Sequence, residues 1–238
     1  EVSARKPVVI WKGGRTAEGG RAITSHTGSL AIVQTIWDAT VRQCGAIEVK
    51  SLEELIDALK ALLYLSPVRG SRVGIAGGSG GQSVAITDAF AEAGLEVPLL
   101  SQRSYDELAT FFTLIGGSYR NPIDTGNMNC KEMRRITEIL EQDANIDNLV
   151  LFMAGLGWHI MEQIESDISL AIDLRKRASK PVMAIVPYFF AVEHVQQSRD
   201  IALKLQEGGV PAFATVERAA YALRHALDYY SFKSSIDA

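Results

Sequence analysis

Cysteine is nearly absent: 238 residues hold two, Cys44 and Cys130, far apart and with no CxxC or Cys/His cluster around either. That argues against a disulfide framework and a zinc site, and a reducing cytoplasm is the compartment expected. A block of like charge is also missing. With 24 Lys+Arg against 28 Asp+Glu and a formal net charge of −4, no basic face marks a nucleic-acid or acidic-membrane partner. Long apolar runs are lacking too. The stretch Asn148-Leu-Val-Leu-Phe-Met-Ala-Gly155 falls far short of the roughly 20 residues that span a bilayer. No Met and no signal peptide open the chain, which begins Glu1-Val-Ser-Ala-Arg-Lys6 and enters a strand pattern at once; a cut through a domain is the expectation. What is present, 47% hydrophobic and 22% charged residues, is the composition of a soluble globular protein with a full core.

Strand and helix signals alternate along the chain. Lys6-Pro-Val-Val-Ile-Trp11 reads as a buried strand of a parallel sheet. Residues Arg15 to Thr27, rich in Gly, Thr, Ser and Ala and without periodicity, predict a long functional or disordered loop. Leu30, Val33, Ile36, Trp37 and Val41 recur at helical spacing and end at a Gly45 cap. Ala46 to Val49 follows as a strand. Ser51-Leu-Glu-Glu54 is a capping box opening a helix with Leu55, Leu59, Leu62 and Leu63. The linker Ser66-Pro-Val-Arg-Gly-Ser71 is the best boundary, giving units 1–68 and 69–238. Beyond it, strands are predicted at 72–76, 95–99, 148–154, 181–186 and 212–214, with helices at 82–93, 104–114, 130–142, 160–178, 192–207 and 216–229. Strands separated by such helices pair in parallel, so the second unit is expected to be an α/β doubly wound sheet of the flavodoxin kind.

An internal similarity bears on the first unit. Lys6-Pro-Val-Val matches Lys180-Pro-Val-Met, Gly45 matches Gly209, Ser51 matches Thr215, and Ala58-Leu59 matches Ala222-Leu223. The first unit thus reads as the tail of a second flavodoxin-like domain, although any two β-α-β-α tails share such a period. A strand there would lack part of its sheet, so it is expected to find a substitute neighbour, self-association included.

Three loops carry chemistry-bearing residues. Thr24-Ser-His-Thr-Gly28 stands before a predicted helix near Ser29. Helix N-termini leave amides unpaired and carry partial positive charge. If His26 were phosphorylated, amides near Gly28 and the hydroxyls of Ser25 and Thr27 would satisfy the phosphoryl oxygens, the imidazole acting as nucleophile toward phosphorus. A surface histidine beside an incidental cap is the plainer alternative, and Arg15 and Arg21 are compatible with either. Gly77-Gly-Ser-Gly-Gly81 follows a strand and opens a helix, the placement of a phosphate cradle or of a generic tight turn. No Lys-Ser/Thr follows it and it is not G-x-G-x-x-G, so neither ATP nor NAD binding is indicated. Asn121-Pro-Ile-Asp-Thr-Gly126 lies at another sheet end, where Asp124 pairs with an imidazole or cation or caps its own turn. His159 reads as a surface residue; Cys130, Met153 and Met161 read as core.

Taken together, Lys6-Pro-Val-Val, Gly14-Arg-Thr16, Ser25-His-Thr-Gly-Ser-Leu-Ala31 and Gly45 with Ser51-Leu-Glu-Glu-Leu55 resemble the NDP-forming (ADP-forming) acyl-CoA synthetases, relatives of succinyl-CoA synthetase. The strand before Gly77-Gly81 and the motif Asn121-Pro-Ile-Asp-Thr-Gly126 resemble the next domain of that family in the same order. The resemblance spans nearly the whole chain. It implies the reversible reaction acyl-CoA + ADP + phosphate to acid + CoA + ATP, through an acyl phosphate and a phosphohistidine at His26. It further implies that the phosphoryl group is held between two helix N-termini, here those after Gly28 and after Gly81. Each terminus would contribute up to about 2 kcal/mol when partly buried. Gly77-Gly-Ser-Gly-Gly81 departs from the Asn-containing glycine loop of many members.

The same resemblance implies partners and limits. A CoA-binding domain and an ATP-grasp module are expected as further parts of the enzyme, in an oligomer. CoA, ADP or ATP, phosphate and Mg are substrates of the full enzyme, with no covalent cofactor and no metal ligands in this segment. The fragment alone is expected to be inactive. Two other readings remain: a regulatory module of a protein lysine acetyltransferase, which tends to lack the phosphorylatable histidine, and a non-catalytic flavodoxin-like binding domain.

Overall fold

The structure is a computed structural model. It describes residues 2–27, 33–113, 118–125, 130–153, 161–187 and 192–237, with the backbone alone at 24, 26, 27, 130, 161, 162, 192 and 193. The predicted helix start near Ser29, Gly28 itself, Gly126 and His159 lie outside the described residues.

In chain order the elements are α1 (Val2–Arg5), β1 (Val9–Trp11), α2 (Ala17–Thr27), α3 (Gln34–Cys44), β2 (Ile47–Val49), α4 (Leu52–Tyr64), β3 (Val73–Gly77), α5 (Gly80–Glu92), α6 (Gln102–Ala109), α7 (Cys130–Gln142), β4 (Asn148–Phe152), α8 (Met161–Arg177), β5 (Val182–Ile185), α9 (Val192–Glu207), β6 (Ala212–Phe213) and α10 (Val216–Asp237). They build two parallel sheets: β1 beside β2, and β3-β4-β5-β6 in that order.

The four-stranded sheet is wound on both faces, as a parallel sheet must be to bury its two sides. Successive strand residues point to opposite faces. Val73, Ile75, Val150, Phe152, Met183 and Ile185 pack toward Ile86, Phe90 and Leu223 of α5 and α10. Leu149, Leu151, Val182 and Ala184 pack toward Leu108, Ile136, Leu140, Ile168, Leu174 and Leu205 of α6 to α9.

The predicted strand 95–99 is reduced to one parallel bridge, Arg72 to Glu96. Glu96 accepts from the Val73 amide at 2.8 Å, but past that point other groups take the outer edge of β3. The Ile75 amide donates to Asn121 Oδ1 at 2.9 Å, Asn121 Nδ2 donates to the Val73 carbonyl at 2.8 Å, and the Ile123 amide donates to the Ile75 carbonyl at 2.8 Å. One side chain and one residue from a later loop occupy the hydrogen bonds that a full strand would have used. The bridge still falls on the far side of β3 from β4, which is the order of a flavodoxin-type sheet and places the switch in winding direction between β3 and β4.

The two-stranded sheet borrows its cover from the other unit. Ile47, Val49 and Ala58 form a buried cluster with Tyr229, against which Val9, Leu55, Leu62 and Tyr230 pack. α10 runs on to Asp237, past the expected end at Tyr229, with Phe232 lying beside Gly45. Gly45, at φ 61, ends α3 in the left-handed conformation, as its spacing predicts, and a Cβ there would stand 2.2 Å from the Phe232 ring. On α4 the buried positions are Asp57, Ala58 and Ala61, whereas Leu59 and Leu63 are 41% and 77% exposed. Small residues let α4 lie close on Ala219, Ala222 and Ala226 of α10, turning the larger leucines outward.

Candidate functional site

The segment 15–27 is not the expected loop. From Ala17 to Thr27 it is helix α2. Thr16 starts it: its Oγ1 accepts from the Gly19 amide at 3.1 Å and its carbonyl from the Gly20 amide at 2.8 Å. The glycines allow a close return of the chain. Gly14 has φ 70, and a Cβ at Gly19 would come 3.0 Å from the Gly14 Cα. A helix with two adjacent glycines and a Thr-Ser-His-Thr end has little intrinsic propensity, which is why no periodicity announces it. Arg15 Nη2 donates to the Lys50 carbonyl at 2.9 Å, fastening this start to the end of β2. Arg21 pairs with Glu18 at 3.4 Å on the exposed surface.

His26 therefore lies on the last turn of α2, with Ser25 beside it donating from Oγ to the Ala22 carbonyl at 2.8 Å. The side chains of His26 and Thr27 are outside the description. Downstream, α3 starts after Val33, which offers no side-chain cap to the helix amides. Val33 thus leaves the first amides of α3 to other acceptors, and an external anion is one that suits a helix start.

The second glycine cluster is built by β3 and α5. Gly77 has φ 115, and a Cβ there would stand 2.0 Å from the Phe152 carbonyl oxygen of the neighbouring strand; Gly78 has φ 83. These two glycines are required by the backbone itself. The Ser79 amide donates to Gln82 Oε1 at 2.9 Å, one half of a capping box that sequence reading did not single out. Gly80 and Gly81 are exposed at the helix start. Nothing lies within 4 Å of a Cβ placed on Gly81, while one on Gly80 would meet Asp124 Oδ2 at 3.6 Å. The structure thus gathers Gly77, Gly78, Ser79, Gly80, Gly81 and the 6% exposed Asp124 at one end of β3. Asn121 is part of the same loop, but its amide serves three backbone groups: the Ile75 amide and the carbonyls of Val73 and Pro98. Its place is structural support of that loop. Helix α2 is not among the elements packed extensively on α5.

A cavity of about 290 Å³ opens at the carboxyl ends of β4, β5 and β6, between the first turns of α5 and α10, lined by Gln82, Ile86, Phe152, Ile185, Pro187 and Val216 among others. Its lining comes from four separate stretches, so no local motif could have disclosed it. Among the described residues no three His, Cys, Asp or Glu side chains gather as a metal site, and no helix is long and apolar enough to cross a membrane.

Residues 1–62 match the family model of the succinyl-CoA ligase like flavodoxin domain. The α subunit of an ADP-forming acetate–CoA ligase II from Pyrococcus furiosus is 29% identical over 230 residues, covering 94% of this chain and 48% of the relative. An ADP-forming acetate–CoA ligase I from Archaeoglobus fulgidus is 31% identical over 224 residues, covering 93% of this chain and 30% of the relative. Among solved structures, the dinucleotide forming acetyl-coenzyme A synthetase 1 of Ca. Korarchaeum cryptofilum, in complex with phosphate and ADP, superposes with a TM-score of 0.82 at 27% identity, over all of this chain and 50% of that one. The chain's relatives are ADP-forming CoA ligases, and it spans half or less of their length.

Proposed function

We propose that the chain is the middle portion of an NDP-forming acyl-CoA synthetase that interconverts acyl-CoA, ADP and phosphate with acid, CoA and ATP through a phosphohistidine at His26. The observation that carries this is the continuity of the match: similarity to ADP-forming acetate–CoA ligases runs through 93–94% of the chain, across both sheets. Residues 1–68 are the tail of a succinyl-CoA-synthetase-like domain, and 69–238 a flavodoxin-like ligase domain. Among the described residues β1 pairs only with β2, and two parallel strands do not make a stable sheet by themselves, which supports a larger first domain.

In the proposed sequence, a phosphate oxygen attacks the acyl-CoA carbonyl carbon. The C–S bond breaks, and CoA leaves as a thiol carrying the phosphate proton. A ring nitrogen of His26 then attacks phosphorus of the acyl phosphate, breaking the P–O bond and releasing the acid as its carboxylate. Finally the terminal oxygen of ADP takes the phosphoryl group and the imidazole is restored. Imidazole suits this role because near neutrality it is an uncharged nucleophile. The uncapped start of α3, with Ser25, Thr27 and Gly28 upstream, holds the phosphoryl group on one side. The turn Gly77, Gly78, Ser79, Gly80 and Gly81 holds it on the other, with Asp124 beside that turn and Asn121 supporting its loop. Mg enters with the nucleotide at the ATP-grasp module, bound chiefly through the nucleotide phosphates. CoA-binding and ATP-grasp domains, an oligomeric assembly and a cytoplasmic location complete the proposal.

Incubating the full enzyme with γ-labelled ATP is expected to place an acid-labile, base-stable phosphoryl group on His26, absent in His26→Ala. The 238-residue chain alone is expected to turn over no acetyl-CoA with ADP and phosphate. An unlabelled His26 in the active enzyme would refute the phosphohistidine.

A further inference from the structure

The two units agree in register as well as in pattern. Ser51 Oγ accepts from the Glu54 amide at 3.1 Å and Thr215 Oγ1 from the Arg218 amide at 3.2 Å, so α4 and α10 begin on equivalent caps. Ahead of them Gly45 at φ 61 and Gly209 at φ 84 take equivalent turns. Ile10 and Trp11 pair with Glu48 and Val49 as Ala184 and Ile185 pair with Ala212 and Phe213. The offset that aligns the caps carries Leu52, Ile56, Leu59 and Leu63 of α4 onto Val216, Ala220, Leu223 and Leu227 of α10.

Equivalent positions then differ in what covers them. Ala220, Leu223 and Leu227 are 8% exposed or less, in the cluster that holds Ile86 and Phe90, where α10 packs on α5. Leu52, Ile56, Leu59 and Leu63 are 41–77% exposed. Trp11 is 52% exposed where Ile185 is fully buried. The second edge of β5 carries β4, whereas among the described residues β1 pairs with β2 alone. The four large aliphatic residues of α4 recur at helical spacing and form one stripe along it. That stripe adjoins Leu55 and Leu62, which pack on the β1–β2 cluster, so an element covering it also reaches that sheet.

We propose that the outer stripe of α4 seats an amphipathic helix equivalent to α5, supplied by the part of the enzyme outside these 238 residues; this rests on the reading of residues 1–68 as the tail of a larger domain. Polypeptide is available for it, since this chain covers 48% of the α subunit from Pyrococcus furiosus and 30% of the ligase from Archaeoglobus fulgidus. In the second unit α5 and α10 pack together on one face of β3 to β6. The incoming helix lies beside α4 on the β1–β2 sheet in the same way, and a strand in the place of β4 closes the free edge of β1 next to Trp11. Its inner face carries apolar residues three and four apart, as Ile86, Ala89 and Phe90 are on α5.

The test places photoreactive benzoylphenylalanine in the full enzyme at Leu63 or, in a second variant, at Ile56, and maps the cross-linked peptide by mass spectrometry. The product is expected to join α4 to an amphipathic helix that follows a strand and lies outside residues 1–238. A cross-link to a second copy of the chain, to the CoA-binding or ATP-grasp domain, or at neither position overturns the proposal. If neither variant folds, hydroxyl-radical footprinting of the unmodified enzyme decides. Oxidation of Leu59 and Leu63 is expected to fall to the level of buried Leu223 and Leu227, and faster oxidation of Leu63 than of Leu227 overturns the docking. Labelling of His26 in the same preparation reports the proposed chemistry separately, so either can fail while the other stands. A full enzyme with no strand–helix sequence ahead of β1 refutes the larger first domain, and the docking with it.

Discussion

Gly77 has no space for even one methyl group. Its φ of 115 is open to glycine, and the Phe152 carbonyl oxygen would lie 2.0 Å from an added Cβ. Gly77→Ala is expected to lower stability by at least about 2 kcal/mol, as forced backbone conformation and overpacking combine; chemical denaturation measures it. A run of glycines after a strand is legible as a turn of this kind. The role of Asn121 was not legible, because an asparagine in a loop looks the same whether it faces solvent or replaces a strand, and only the buried bonds to residues 73, 75 and 98 tell the two apart. His26 is singled out by its neighbours in sequence, while its position on a helix end was hidden by residues of low helical propensity.

Among elements, the α4–α10 pair joins the two sheets. Asp57, 2% exposed, receives Arg218 through two nitrogens, Nη2 to Oδ1 at 3.0 Å and Nε to Oδ2 at 2.5 Å, with Lys60 3.6 Å away. Burial pushes the Lys60 ammonium down from its ordinary range, and Asp57 partly restores it. Lys60 also donates to the Ala212 carbonyl at 2.8 Å. Removing Arg218 leaves a buried carboxylate that has lost its two-nitrogen partner and keeps Lys60 at 3.6 Å. Arg218→Ala is expected to cost about 3 kcal/mol, read as a lower denaturation midpoint, whereas joint replacement of Asp57 and Arg218 by apolar residues of similar size should recover part of it. Apart from α1 and α2, the helices were readable from 3.6-residue periodicity and capping; α9 matches its expected limits. The buried face of α4 was not, because apolar spacing marks Leu59 and Leu63, which end outside, alongside Leu55 and Leu62, which pack inward, while the fully buried positions are Asp57, Ala58 and Ala61. Which stripe is buried depends on the partner helix, more than 150 residues away in the chain.

Across the molecule, carboxylates fix the acid limit. Burial alone would raise the Asp147 carboxyl, but hydrogen bonds from the Arg72 side chain and amide, with the Arg72 charge, outweigh it and hold it below the usual carboxylate range. Asp143 behaves alike: burial raises it, and hydrogen bonds from Ser104, Asn145 and Ser101 bring it lower. A lowered folded-state value contributes stability that is complete above the unfolded value and lost as pH falls through the folded one. Thermal midpoints are therefore expected to be insensitive to these two groups near neutrality and to drop below about pH 4, less steeply in Asp147→Asn, whose starting stability is lower. A net charge of −4 with balanced basic residues places nucleic acid at the bottom of the expected partners. The covering of one sheet by the other unit's last helix was not foreseeable from composition or periodicity.

That covering has a consequence for the order of folding. The wall over β1 and β2 includes Tyr229, Tyr230 and Phe232, and α1 also touches α10. On a ribosome these residues emerge long after β1 and β2, while the β3 to β6 sheet can already close on α5 to α9. The contact of α10 with β1 and β2 can therefore form only after the β3 to β6 sheet has been made, so this part of the burial closes late.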